Sequence, residues 1–272
     1  MTVTSERSDR PAVLTVAGFD PSGGAGIIAD VRTFVHFGCR PTAAITSLTF
    51  QNSLGVFGAI HESAASLRAQ ILPIVEEHQV AAVKIGMLPT AELVGEVVRL
   101  IQEGNLPAPV VDPVFESSSG HRLIEDAAAE LLMRELLPLA RLVTPNIPEA
   151  EKLAGLNVED DENMRQAFAR IRELGPRAVL IKGGHLRRES GARSQESGAS
   201  TSEAIDILDD DGQVTVFRGD WIDAQPVRGT GCMLSAAIAA SLAGGSNLKD
   251  AIAAAKQFVA AEIQNSTFKI QD

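Results

Sequence analysis

Short apolar runs alternate with stretches of helical period along most of this chain. Ala12 to Ala17 is apolar but for Thr15, and Ile27, Ile28, Val31, Phe34 and Val35 then recur at helical spacing. That is a buried strand, a turn and an amphipathic helix. Thr42 to Phe50 and Val56 to Ile60 are rich in β-branched and apolar residues and predict two more strands. A helix opening at Ser63 carries Leu67, Ile71, Ile74 and Val75 on one side. The same alternation continues with a strand at Val80 to Ile85, a helix at Ala91 to Ile101 and a short strand at Val110-Val111. Further on it predicts a helix from about Glu125 to Leu137, a strand at Leu142 to Thr144, helices near Glu149 to Leu153 and Asn163 to Leu174, and a strand at Ala178 to Ile181. Strands alternating with helices in this way indicate βαβ units and a parallel sheet covered on both faces.

Toward the carboxyl end the pattern changes. Ala204 to Leu208 and Val214 to Phe217 flank Asp209-Asp210-Asp211-Gly212, which predicts a β-hairpin. Helices follow from Arg228-Gly229-Thr230-Gly231-Cys232 to about Leu242, and from Leu248 to Ile263. Residues 1–10 are polar and charged and predict a disordered tail. Arg187 to Ser202, rich in Arg, Ser, Glu and Gly, predicts a mobile loop. With no internal repeat and no linker, residues 11–272 are read as one domain. The predicted fold class is α/β: a mostly parallel central sheet with helices on both faces, plus a small β-hairpin.

Composition narrows the function. Apolar residues make up 45% of the 272, enough for a large core, while aromatics are 4% and Tyr is absent. The net charge of −11 repels a phosphate backbone, and few rings are left to stack on bases, so a nucleic-acid partner is not expected. The apolar runs are too short to span a membrane. Cys39 and Cys232 are far apart and give neither a metal pattern nor a disulfide framework. The five histidines are scattered, and H-E-x-x-H, G-x-S-x-G and C-x-x-C do not occur. No Gly-Lys dipeptide occurs either, which excludes a P-loop.

Three constellations remain. Gly18 to Gly26 is a glycine-rich loop between the first strand and helix. Its Gly24-Ala25-Gly26-Ile27-Ile28-Ala29 fits a relaxed dinucleotide pattern, but no carboxylate stands at Thr49 to Asn52, where that reading needs one. Gly229-Thr230-Gly231-Cys232 precedes a helix, so its backbone amides can converge on an anion; the bland alternative is a plain glycine turn. Cys232 at that terminus is expected to have a lowered pKa and to be available as a base, or else to be a small buried hydrophobe. Asn146 and Glu149 put two oxygen-bearing side chains at a helix start. They read as a Mg²⁺ pair or as a helix cap. Asp112-Pro113, Lys182-Gly183-Gly184, Lys84 to Met87 and Gln51-Asn52 stand at other predicted strand ends, where open α/β sheets bind ligands.

Taken in order, these motifs resemble one family. Ala17-Gly18-x-Asp20-Pro21-Ser22-Gly23-Gly24-Ala25-Gly26-Ile27 with Asp30 is followed by Gln51-Asn52, Val83 to Leu88, and Asp112-Pro113-Val114. Then come Thr144-Pro145-Asn146, Pro148 to Glu151, Lys182 to His185 and Gly229 to Cys232. The series is similar to the hydroxymethylpyrimidine and phosphomethylpyrimidine kinases of thiamin biosynthesis, in the ribokinase-like superfamily, and runs from about Ala12 to Ile263. The resemblance implies a cytoplasmic, homodimeric enzyme using ATP and Mg²⁺ to phosphorylate the pyrimidine alcohol, its monophosphate, or both. It implies that Asp30 and Gln51 bond the aminopyrimidine, with Gly18, Ala25, Met87 and Val114 around it. It further implies that Gly229, Thr230, Gly231 and Cys232 serve the transfer, that Asp112, Asn146, Lys182 and Gly184 serve ATP, and that Asn146 and Glu149 serve the metal. A pyridoxal or pyridoxine kinase and a degenerate fold that only binds the pyrimidine are the alternatives. The chain departs from the pattern at Phe19, Met233 and Arg228, where the family usually has Ser, Thr or Ser, and His. The Arg228 charge beside the anion loop is expected to favour an already phosphorylated acceptor.

Overall fold

The computed structural model describes residues 10–117, 119–183, 203–220 and 228–268. The predicted amino-terminal tail and the 187–202 loop lie outside those residues but for Arg10. Among the described residues nine strands form one sheet in the order β3-β2-β1-β4-β5-β6-β7-β8-β9. The strands are β1 (Ala12–Phe19), β2 (Arg40–Asn52), β3 (Gly55–His61), β4 (Val80–Ile85), β5 (Val110–Val111), β6 (Leu142–Val143), β7 (Ala178–Lys182), β8 (Glu203–Asp210) and β9 (Gln213–Asp220). From β2 to β7 every neighbouring pair is parallel. The β2–β3, β7–β8 and β8–β9 pairs are antiparallel. The chain winds outward in both directions from the β1/β4 boundary, which makes that boundary the topological switch point.

Among the described residues eight helices cover the sheet: α1 (Gly26–His36), α2 (Ala64–Glu77), α3 (Ala91–Gln102), α4 (Asp126–Leu131), α5 (Ile147–Ala154), α6 (Asp161–Glu173), α7 (Thr230–Ala243) and α8 (Leu248–Phe268). Strand alternation sorts the core into two layers. Leu14, Val16, Val83, Ile85, Val179 and Ile181 pack with the α2 to α6 residues. Val13, Ala82, Val110, Ala178 and Leu180 pack with α1, α7 and α8.

The local signals explain most boundaries. Ser63 caps α2 by accepting from the Ser66 N–H, and Thr90 caps α3 by accepting from the Leu93 N–H. Two readings are corrected in detail. The Glu125–Leu137 helix is shorter as an α-helix: it changes to a π turn over Leu132–Leu136 and a 3-10 turn over Leu137–Leu139, because Pro138 cannot donate a backbone hydrogen bond. The four-residue hairpin turn is only two residues, Asp211 and Gly212, both at positive φ; Asp209 and Asp210 extend β8. A two-residue turn of that hand matches the twist of the paired strands. Among the described residues, no helix is long and apolar enough to cross a membrane.

Candidate active site

The site is assembled at the carboxyl ends of the parallel strands, on the α1/α7 side. Alternation puts it there. Thr15 shares a strand face with Val13, Lys84 with Ala82, Asp112 with Val110, and Lys182 with Leu180. The same face that buries apolar residues lower in the sheet therefore presents polar ones at its upper edge.

Two glycine loops meet over that edge. The first, between β1 and α1, is organised by buried Asp20. Its Oδ1 accepts from the Ser22 N–H at 2.8 Å and the Ser22 hydroxyl at 2.6 Å, and its Oδ2 accepts from the Ala25 N–H at 3.0 Å. Gly26 folds back on β1 so closely that a Cβ would lie 2.2 Å from the Gly18 carbonyl oxygen. The second loop leads into α7. Gly229 sits at φ 77°, and a Cβ there would lie 2.1 Å from the Gly24 carbonyl oxygen. A side chain at Gly26 would push the start of α1 off β1, and one at Gly229 would drive the two loops apart. Among the described residues no side chain caps α7, which leaves its first-turn amides as donors for a ligand or water.

Behind the loops lies a chain of buried charges. Asp30, on α1, accepts from the Thr15 hydroxyl at 2.6 Å and from Lys84 Nζ at 2.8 Å through Oδ2. Its Oδ1 is buried with no hydrogen-bond partner among the described residues. Burial pushes the Asp30 carboxyl above its ordinary value against the pull of Lys84. Burial works against the Lys84 charge too, but Asp30, Cys232 and Asp112 around it raise its pKa overall. Lys182 Nζ donates to Asp112 Oδ1 at 2.9 Å. Burial opposes ionisation of Asp112, but Lys182 and Lys84 outweigh it and hold the carboxyl below its usual value. A Cβ on Gly231 would stand 3.2 Å from Lys182 Nζ and 3.9 Å from Asp112 Oδ2, which brings the α7 loop onto this pair.

Several sequence expectations thereby share one locality. Gly18 and Met87 touch, a Cβ on Gly18 falling 3.0 Å from Met87 Sδ. Ala25, Asp30, Asp112, Lys182 and the Gly229–Cys232 loop adjoin the same strand ends. Val114 follows Asp112 in a tight backbone turn, its N–H bonded to the Asp112 carbonyl at 2.9 Å. Gln51 ends β2 and reaches Arg228. Gly184 lies outside the described residues. A cavity of about 460 Å³ under the β2–β3 flap is lined by Val56, Ala59, His61, Met87, Pro89 and Leu123 among others; of the predicted substrate residues it shares Met87 alone.

One expectation changes. The Cys232 thiol is not lowered: burial pushes it up to about 11, with Asp112 and Asp30 adding to the rise, and Lys84 and the Gly26 backbone offset only part of it. The helix terminus at Cys232 does not compensate for the low-dielectric surroundings of its Sγ. Asn146 and Glu149 form the helix cap that was one of their two readings. Asn146 Oδ1 accepts from the Glu149 N–H at 2.9 Å, and Glu149 Oε2 accepts from the Asn146 N–H at 2.8 Å. Burial raises Glu149 to about 7, partly offset by Lys182. The bonds of Asp20 and the roles of Thr15 and Lys84 were not assigned from sequence. Lys84 was the findable one: a lysine in Val-Ala-Ala-Val-Lys-Ile, at an inward position of a buried strand, needs a buried partner.

Residues 20–272 match the family described as phosphomethylpyrimidine kinase. The chain is 40% identical to a hydroxymethylpyrimidine/phosphomethylpyrimidine kinase of Streptomyces coelicolor over 97% of this chain and 92% of that one. Its fold is similar to the crystal structure of phosphomethylpyrimidine kinase from Clostridium difficile, at a TM-score of 0.78 and 36% identity, covering 93% of this chain and 100% of that one. It is also similar to the pyridoxal kinase of Staphylococcus aureus in complex with AMP-PCP and pyridoxal, at a TM-score of 0.81 and 29% identity, covering 95% and 89%.

Proposed function

The chain belongs to the phosphomethylpyrimidine kinase family, and on that premise we propose that it moves the γ-phosphoryl group of ATP to the hydroxymethylpyrimidine precursor of thiamin or to its monophosphate. The observation that carries this reading is the closure of the two glycine loops on each other over the Asp112–Lys182 pair, with Gly229 against Gly24 and Gly231 against Lys182. That places free helix amides beside the loop of the acceptor site, the arrangement that a transferring phosphoryl group needs.

In this reading Asp30 and Gln51 hold the aminopyrimidine ring between Gly18, Ala25, Met87 and Val114. The unpartnered Asp30 Oδ1 supports it, because a buried acceptor is stabilised by an N–H from the ligand. The Gly229, Thr230 and Gly231 amides take up charge as the phosphoryl group moves, and Cys232 receives the hydroxyl proton. A loose transition state removes that proton late, and the acceptor is the Cys232 thiolate, a minor form made strongly basic by the burial that raises its pKa. Asp112, Asn146, Lys182 and Gly184 flank the nucleotide. The Asn146–Glu149 pair fits a hard cation, since its donors are oxygens and a cation would offset the burial of the Glu149 charge. When bound with nucleotide, Mg²⁺ screens the phosphate charge.

A second copy of the chain is proposed as the partner. Leu48, Phe50, Leu54, Phe57 and Ile60 are all exposed on the β2–β3 flap, more apolar surface than a solvent-facing hairpin normally leaves. Sedimentation of the wild type and of Phe57→Asp is expected to give a dimer and a monomer. The cytoplasm is the proposed compartment, in keeping with two free cysteines. An ATP-coupled assay with Mg²⁺ and the pyrimidine alcohol, its monophosphate or pyridoxal tests the function. Turnover of at least one pyrimidine in preference to pyridoxal is expected; turnover of neither pyrimidine overturns the reading.

A further inference from the structure

Arg228 stands immediately before the α7 cap, yet its side chain leaves the anion loop. Its Nη2 donates to Gln51 Oε1 at 2.8 Å, its Nη1 donates to the Asn52 carbonyl, and its Nη2 lies 3.9 Å from Asp20 Oδ2. One guanidinium thus ties the end of β2 to both glycine loops. A guanidinium has donors only, so the Gln51 atom that faces it is the carbonyl oxygen by chemical necessity. The planar amide group then has to present its Nε2 donors on the other side. Among the described residues no other hydrogen bond holds the Gln51 side chain, so within them Arg228 sets which end of the amide is offered.

We infer that Arg228 is a positioning residue that locks the Gln51 amide with its donors toward the acceptor ring, and so makes the site select a ring with a hydrogen-bond acceptor at that place. The inference rests on the pyrimidine reading. It assigns Arg228 a different role from that of an anion ligand: its donors are spent on the flap and its charge faces Asp20. With a methionine at 228, either end of the Gln51 amide can turn to the ring, and the selection is lost.

The test compares wild type, Arg228→Met and Arg228→Lys with two ligands: the aminopyrimidine alcohol and its analogue with C–H in place of the ring nitrogen beside the amino group. Binding without ATP is measured by calorimetry, and kcat and KM with ATP. Wild type is expected to favour the nitrogen ring by about tenfold or more, the worth of one well-made hydrogen bond. Arg228→Met is expected to reduce that ratio to within about twofold, through KM more than kcat. Arg228→Lys, which keeps one donor toward Gln51, is expected to retain most of it. An unchanged ratio in Arg228→Met overturns the inference alone, whatever the absolute rate. Failure of both rings to bind wild type overturns it together with the pyrimidine reading. Equal unfolding midpoints for the three proteins confine the effect to the site.

Discussion

The same strands build both faces of the sheet, but the two faces are covered differently. Toward α2 to α6 the layer is almost wholly large and apolar, with Leu93, Val97, Leu100, Leu136 and Ile171 packed on Leu14, Val16, Ile85 and Ile181. Toward α1 and α7 the strands carry Thr15, Lys84 and Lys182, with Asp112 just past the end of β5, and α7 covers them with mostly Ala, Ser and Gly. Small residues let the α7 terminus come down onto the strand ends. Large ones would hold it away from the Asp30–Lys84 and Asp112–Lys182 pairs. The first face therefore stabilises the fold, and the second exposes its backbone donors to chemistry. The second face also costs stability, because each buried charge has to find a partner.

Substitutions on each face can break this contrast. The largest expected effect is on activity: Cys232→Ala is expected to lower kcat by about 10² to 10⁴, the usual worth of a positioned proton acceptor. The wild-type kcat is expected to rise between pH 7 and 10, because the active thiolate is the minor form below a pKa of about 11. The alanine variant is expected to lose that slope. Equal slopes in steady-state assays would remove Cys232 from proton transfer.

Next is Lys84→Met, which leaves Asp30 buried with only Thr15 beside it. Urea unfolding is expected to show a loss of about 3–5 kcal/mol, and Asp30→Asn in the same chain to restore much of it. On the other face, Leu93→Ala is expected to cost about 2–5 kcal/mol in the same experiment while kcat stays within about twofold. A large change in kcat for Leu93→Ala would mean that the faces are not separable in function.

The smallest effect concerns Glu149. Its folded-state pKa of about 7 exceeds its ordinary value of 4.5. Its contribution to stability is thus fully present below about 4.5 and is lost as pH rises through about 7. Glu149→Gln is expected to flatten the stability profile across that window, read as unfolding midpoints at pH 5 and pH 8. An unchanged slope would place the titration elsewhere.

Periodicity was enough to identify nearly every element, since strands of period two and helices of period 3.6 each bury one face wherever they pack. It gave less where local chemistry changes within an element, as at the π turn of Leu132–Leu136 before Pro138. The glycine loops and the Asn146–Glu149 cap were legible because they are local: each loop is one contiguous run of turn residues, and the bonds of the cap join residues three apart. Their order along the chain already resembled one kinase family. The Asp30–Lys84 pair spans 54 residues, the Asp112–Lys182 pair 70, and the Gln51–Arg228 bond 177. Separations of that length leave no periodic trace. The sequence by itself determined which segments are strands, which are helices and where the backbone turns on glycine. Only the tertiary structure decided that Cys232 is buried beside carboxylates and so raised rather than lowered, and that Arg228 hydrogen-bonds Gln51. Both depend on the low dielectric and the neighbours that distant segments supply once the sheet has closed.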